Sequence, residues 1–235
     1  MSIRGMIRRR IWRLTSGMNF IRFTALPGGS ALYITMDTLI LASKSPRRRE
    51  ILHQLGIPFV TCNIDIDEAA HYRKRVRSSV LNISRKKAEV AASRFSRGLV
   101  VGVDTVVYFK GQILGKPENV EQARAYIKML GGNRHQVFSG ITVRNVYGAV
   151  ARSSCSTSSV QFMRMNDEEI ERYVQKGEWV DKAGGYAIQG QAAFFIRRIE
   201  GSYYNIMGLP VEELYTLLKE FEYFESDGIY QPVRR

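Results

Sequence analysis

Hydrophobic and polar positions fall along the chain in two kinds of block: short apolar runs, and longer segments with helical spacing. Leu39–Ala42 is the first clear run and suits a buried strand. Ser45 and Pro46 follow as a helix start, with proline where a missing N–H costs nothing. Ile51, Leu52 and Leu55 give that helix an apolar side, and Gly56 ends it. A second strand is predicted over Phe59–Ile64. Residues 79–97 carry Val80, Ile83, Ala88, Ala91 and Ala92 toward one side and read as a helix. Leu99–Val107 is the most strand-like stretch, rich in β-branched residues that fit a pleated surface. Beyond a turn at Lys110–Gly111, Asn119 and Gln122 resemble a capping box for a helix running to about Leu130, which Gly131–Gly132 stops.

Two longer strands are predicted over Gln136–Val146 and Ala149–Met163, turning at Tyr147–Gly148; antiparallel pairing there makes the sheet mixed. Asn166 with Glu169 caps a helix to about Lys176. A glycine-rich loop, a strand near Ala193–Ile199 and a helix from Pro210 to about Phe221 complete the pattern. Strands alternating with helices predict an α/β fold. With no internal repeat and no clear linker, one domain is expected over residues 36–222, between an N-terminal segment 1–35 and a polar tail 223–235.

Composition adds a constraint. Of 235 residues, 45% are hydrophobic and 11% aromatic, which fits a packed core and not a disordered chain. No run approaches the roughly 20 apolar residues that span a bilayer. The two cysteines, Cys62 and Cys155, are too far apart in sequence for a clustered metal site and too few for a disulfide framework, so the reducing cytoplasm is the expected compartment. The net charge of +13 invites a nucleic-acid partner, but its distribution weakens that reading. Six arginines (Arg4, Arg8, Arg9, Arg10, Arg13 and Arg22) and no acid occur in residues 1–35, which leaves +7 for the rest. An enzyme of polyanionic phosphates would show that excess too, and aromatics are not interleaved with the charges as base stacking requires. Three readings stand open for residues 1–35: a basic anchor or nucleic-acid arm around Arg8–Trp12, an Arg-rich transit peptide, or an upstream-start artefact or disordered tail ahead of Met36. No secretory signal is evident.

Polar clusters then mark candidate chemistry. Ser43-Lys44-Ser45-Pro46-Arg47-Arg48-Arg49-Glu50 joins a strand to a helix N-terminus, where free N–H groups and arginines favour phosphate. The alternative is a capped helix with a solvated basic first turn. Asp104, in Gly102-Val103-Asp104-Thr105, lies inside the most hydrophobic strand, where an ionised carboxylate is costly unless it is paired, binds metal or activates water. It could instead be satisfied by backbone donors. Lys116, in Leu114-Gly115-Lys116-Pro117, sits close enough downstream to reach back toward Asp104; the segment lacks the glycine spacing and hydroxyl of a Walker loop. Lys182–Gly190 combines glycines with Gln189, which offers both donor and acceptor to a base, although an ordinary flexible loop reads the same way. Asp65, Asp67 and Glu68 with Lys86 and Lys87 complete either a Mg²⁺–triphosphate site or a solvated surface.

Taken in order, these clusters resemble the Maf family of nucleotide pyrophosphatases over about Leu39 to Leu217. The motifs are Leu-Ala-Ser-Lys-Ser-Pro-Arg-Arg-Arg-Glu (41–50), Asp-Ile-Asp-Glu (65–68), Lys87-Ala88, Gly-Val-Asp-Thr-Val-Val (102–107), Ile-Leu-Gly-Lys-Pro (113–117), His-Gln-Val-Phe-Ser-Gly (135–140), Lys-Ala-Gly-Gly-Tyr-Ala-Ile-Gln-Gly (182–190) and Ile-Glu-Gly-Ser-Tyr-Tyr-Asn-Ile-Met-Gly-Leu-Pro (199–210). The resemblance implies one α/β domain, a long curved mixed sheet flanked by helices, with two lobes around a cleft. It implies hydrolysis of a nucleoside triphosphate at the α–β linkage with Mg²⁺ or Mn²⁺, and a homodimer. By the same resemblance Asp104 is catalytic, and Ser43, Arg47, Glu68, Lys87 and Lys116 bind substrate. Glu68 and Asp104 take the metal. Arg47, Thr105 and Gln189 match members acting on dTTP and UTP, where members preferring 7-methyl-GTP carry tryptophan at the position of Arg47. The chain departs from the family at residues 69–81, where His71, Arg73, Lys74, Arg75 and Arg77 replace acids and prolines. The rivals are a sister base preference and a nucleic-acid-binding regulator of division.

Overall fold

The computed structural model describes residues 24–25, 31–32, 38–68, 72 and 75–224. The chain divides into two units, Met1–Met36 and Asp37–Arg235. In the first, β1 (Thr24–Ala25) pairs antiparallel with β2 (Ala31–Leu32). The six N-terminal arginines lie outside the described residues, as do His71, Arg73, Lys74 and the tail from residue 225.

The second unit is built on a seven-stranded sheet of β3 (Leu39–Ala42), β4 (Phe59–Thr61), β5 (Leu99–Phe109), β6 (Gln112–Leu114), β7 (Arg134–Asn145), β8 (Ala151–Phe162) and β9 (Ile196–Glu200). Its order is β4-β3-β5-β7-β8-β9, with β6 also on β5. β3 runs parallel to β4 and β5, and the other pairs are antiparallel, so the sheet is mixed as expected. Helices α1 (Pro46–Gln54), α2 (Val76–Ala92), α3 (Val120–Leu130), α4 (Asp167–Gln175), α5 (Tyr203–Met207) and α6 (Val211–Glu220) flank it.

The helix α2 has most to do with the site. Val80, Ile83, Ser84, Lys87, Ala88 and Ala91 form its buried stripe at spacings of three and four, so one lysine lies on the face an apolar helix buries. That face meets the sheet at two glycines. A Cβ on Gly102 would stand 2.2 Å from the Ser84 carbonyl oxygen, and one on Gly140 would stand 2.3 Å from that of Val80. Backbone therefore packs on backbone, and α2 sits closer to β5 and β7 than any side chain would allow. Asp104 pairs across to Gly140 and shares a sheet face with Gly102, so it points at α2. A second core joins α3 and α4 to Val107, Val137, Phe162 and Tyr186.

Several boundaries differ from the pattern-based expectation. The helix predicted over 79–97 begins at Val76 and ends at Ala92, since the chain turns there and Phe95 folds back onto the core beside Cys62 and Ile64. The strand predicted near Ala193–Ile199 starts at Ile196; Gln191–Phe195 is a 3₁₀ turn, entered where Gln191 N–H donates to Glu178. Asn119 accepts from Gln122 N–H at 2.8 Å, but the Gln122 side chain accepts from Glu118, not Asn119, so that box is half closed. The Asn166–Glu169 box closes both ways. Helix α5 was not expected.

Candidate active site

The site forms where the sheet is interrupted. The ladder of β3 on β5 ends at Ala42–Gly102, and that of β6 on β5 begins at Val107. Between them β5 has no strand on that edge, and a cleft of 310 Å³ opens beyond the carboxyl end of the parallel strand β3. Ser43, Arg47, Glu68, Lys87, Asp104, Thr105 and Lys116 all line it, from five separate segments of chain. Of the residues given a role from the sequence only Gln189 stays away: it is exposed and outside the cleft lining.

Three charges make the centre. The Lys87 ammonium lies 2.6 Å from Glu68 Oε1 and 3.0 Å from Asp104 Oδ1, and it also donates to the Val103 carbonyl at 3.1 Å. Asp104 is 1% exposed, and its Oδ2 is buried without a hydrogen-bond partner. Burial pushes the Asp104 carboxyl above the usual carboxylate range, Lys87 pulls it back, and the Glu68 charge pushes it up again. Burial also pushes Glu68 up, but Lys87, Lys116 and Arg48 outweigh that and hold it below its ordinary value. Asp104 is thus the carboxylate that gains most from a proton or a cation.

The first turn of α1 forms the adjoining wall. Arg48 is buried and donates to the Gly208 carbonyl (2.7 Å), to Ser43 Oγ (2.9 Å) and to Thr105 Oγ1 (3.2 Å). Ser43 Oγ also accepts from Ser45 N–H at 3.2 Å. Two donors on that oxygen leave its hydroxyl proton free to point outward. Arg47 Nε donates to the Met207 carbonyl at 3.2 Å, while its Nη1 is buried without a partner. Burial, with Arg48 adding to it, lowers the Arg47 pKa to about 10.

Residues 38–221 match the family described as Maf-like protein. The chain belongs to that family. Maf-like relatives include a dTTP/UTP pyrophosphatase of Syntrophus aciditrophicus, 43% identical over 184 residues, 78% of this chain and 90% of that one. Another, of Clostridium perfringens and the same name, is 40% identical over 186 residues, covering 78% and 97%. The Staphylococcus aureus Ham1 protein, at 11% identity and TM-score 0.41, covers 79% of this Maf-like chain and 97% of its own, too remote a likeness to add to the fold seen directly.

Sequence reasoning missed Arg48 in this Maf-like chain. The basic first turn of α1 reads as a set of phosphate donors, yet one of its three arginines is a buried tie between Ser43, β5 and the α5–α6 turn. No local pattern reports that, because Thr105 and Gly208 lie 57 and 160 residues away. Thr105 is likewise tied, to Arg48 and to Ser139 Oγ at 2.8 Å, and Ser139 donates on to the Asn205 carbonyl. Lys182, which opens the Lys182–Gly190 loop, also lines the cleft, and so does Asp181, which carries no sequence signal because it stands just ahead of that loop.

Proposed function

We propose that the protein is a cytoplasmic nucleoside triphosphate pyrophosphatase, a homodimer that hydrolyses dTTP and UTP to the monophosphate and pyrophosphate with Mg²⁺ or Mn²⁺. The observation that carries this reading is the Glu68–Lys87–Asp104 group, with Lys87 and Asp104 buried and one Asp104 oxygen unclaimed, inside a cleft lined by groups that can donate to phosphate. Relatives at 43% and 40% identity bearing the name dTTP/UTP pyrophosphatase support the substrate.

The chemistry follows from the positions. Water adds to the α phosphorus, the bond from that phosphorus to the α–β bridging oxygen breaks, and pyrophosphate leaves. Asp104 Oδ2 accepts the water's proton, being a buried carboxylate oxygen without a competing donor. Ser43 donates its free hydroxyl proton to a phosphate oxygen, and Lys116 with the N–H groups at the start of α1 offsets the polyphosphate charge.

Glu68 and Asp104 fit a divalent cation. Mg²⁺ takes one or two carboxylates and completes its shell with substrate phosphates and water. Glu68 and Asp104 meet at Lys87 on the cleft wall, and no group of three or more His, Cys, Asp or Glu comes together among the described residues. Glu68 and Asp104 would hold the cation, which supplies neutralisation of phosphate charge and polarisation of the scissile linkage.

Pyrophosphate release from a nucleotide panel with either metal tests the reading. Asp104→Asn keeps shape and removes the base, so turnover of dTTP and UTP should fall by roughly two to four orders of magnitude. Undiminished turnover would take Asp104 out of the mechanism. Release from 7-methyl-GTP alone would move the substrate to the sister preference.

A further inference from the structure

Arg47, Asp181 and Lys182 line the cleft and play no part in the phosphate chemistry. Arg47 has a buried Nη1 with no partner. Lys182 gives one of its three ammonium protons to the Val180 carbonyl at 2.9 Å and keeps two. Asp181 stands next in sequence to Lys182 in the left-handed backbone region, at φ 60°, which Asp adopts more readily than most residues. Its charge acts on both cations, raising the pKa of each, while Arg47 lowers that of Lys182. Burial remains the larger influence on both, so these are groups partly stripped of water and poised to bond a ligand. Gly184, at φ 68°, packs against Val107 where a Cβ would come within 2.7 Å, which pins this segment to β5 beside the cleft.

We propose that Asp181 is a specificity residue of this site, its carboxylate accepting the N3–H of a uracil or thymine ring while Arg47 and Lys182, on either side, donate to the two ring carbonyl oxygens. This deepens the dTTP/UTP reading and rests on it. The imide edge of uracil and thymine runs acceptor, donor, acceptor. Donor, acceptor, donor is its complement. Cytosine breaks the match at the centre, where an N3 lone pair would face the carboxylate, and at one side, where its amine would meet a cation. Guanine fails differently, setting its 2-amine against a cation. A methyl at C5 lies off this edge, which fits acceptance of dTTP and UTP alike. A site built to bond a given polar edge rejects the wrong edge strongly, because its own groups are then left unpaired.

The test is the ratio of kcat/KM for UTP to that for CTP, measured with the full-length protein and its Asp181→Asn variant. Both substrates are read in one preparation, so the ratio does not depend on how much of the variant is folded. An asparagine amide can donate to cytosine N3, and the preference for UTP should shrink by about tenfold or more. A ratio unchanged from wild type overturns the role of Asp181 while leaving the pyrophosphatase in place. A wild type that releases no pyrophosphate from UTP or dTTP overturns the function reading, and this inference with it.

Discussion

Lys87→Met would strand two carboxylates on the floor of the cleft. Glu68 and Asp104 are both held by that one ammonium, and Asp104 has no water-exposed route to relief. Removing one partner of a buried ion pair typically costs about 3–5 kcal/mol, so the unfolding free energy from urea titration should fall by that amount, and pyrophosphate release should fail with it. A loss under about 1 kcal/mol would mean that water and not Lys87 balances the carboxylates. Which residues line the cleft was largely legible in the sequence: Asp104 because a carboxylate inside a β-branched run contradicts its surroundings, and Glu68, Lys87 and Lys116 through the family resemblance. Arg48 and Asp181 contradict nothing nearby. Their importance lies in partners that only the fold supplies.

Among the elements, the contact of α2 with β5 and β7 sets the distance between Lys87 and Asp104. Gly140→Ala would drive a Cβ into the Val80 carbonyl, a backbone atom that no rotamer change can move aside. Overpacking of this kind costs about 1–3 kcal/mol, and the displaced helix should carry Lys87 away from Asp104, lowering kcat together with the melting temperature. Gly148→Ala, at a turn where the nearest atom would be a side-chain carbon 3.8 Å away, should change neither. Strand β5 was legible from its β-branched residues, and α4 from its capping box, because both signals are local. Helix α5 was not, since five residues give no periodicity and its start rests on Ser202 bonding Asn205. The strand order was equally out of reach, being set by pairings that no short window contains.

Across the whole molecule, pH acts through a group remote from the phosphate end. His135 Nε2 pairs with Tyr186 Oη at 2.8 Å between β7 and the glycine-rich loop, and its Nδ1 is buried without a partner. Burial lowers its pKa from 6.5 to about 4, so the fold favours the neutral ring. Stability is then fully present above pH 6.5, is lost as pH falls from 6.5 toward 4, and levels off below, an expected loss of about 3 kcal/mol. Urea midpoints between pH 7 and pH 4 check this: His135→Gln should flatten the slope over that window, and an unaltered slope would put the titration elsewhere. The α/β class and mixed sheet were legible from alternation alone, whereas the meeting of five segments at one cleft was not. That cleft exists because β5 outruns β3, which leaves the backbone of residues 103–106 open along one edge of a long, mainly apolar strand. An open edge of that composition is a template for another chain to pair with. Lys87 on the Val103 carbonyl and the Asp104 charge keep it from being one, so the groups that would cut a nucleotide also guard the protein against aggregation.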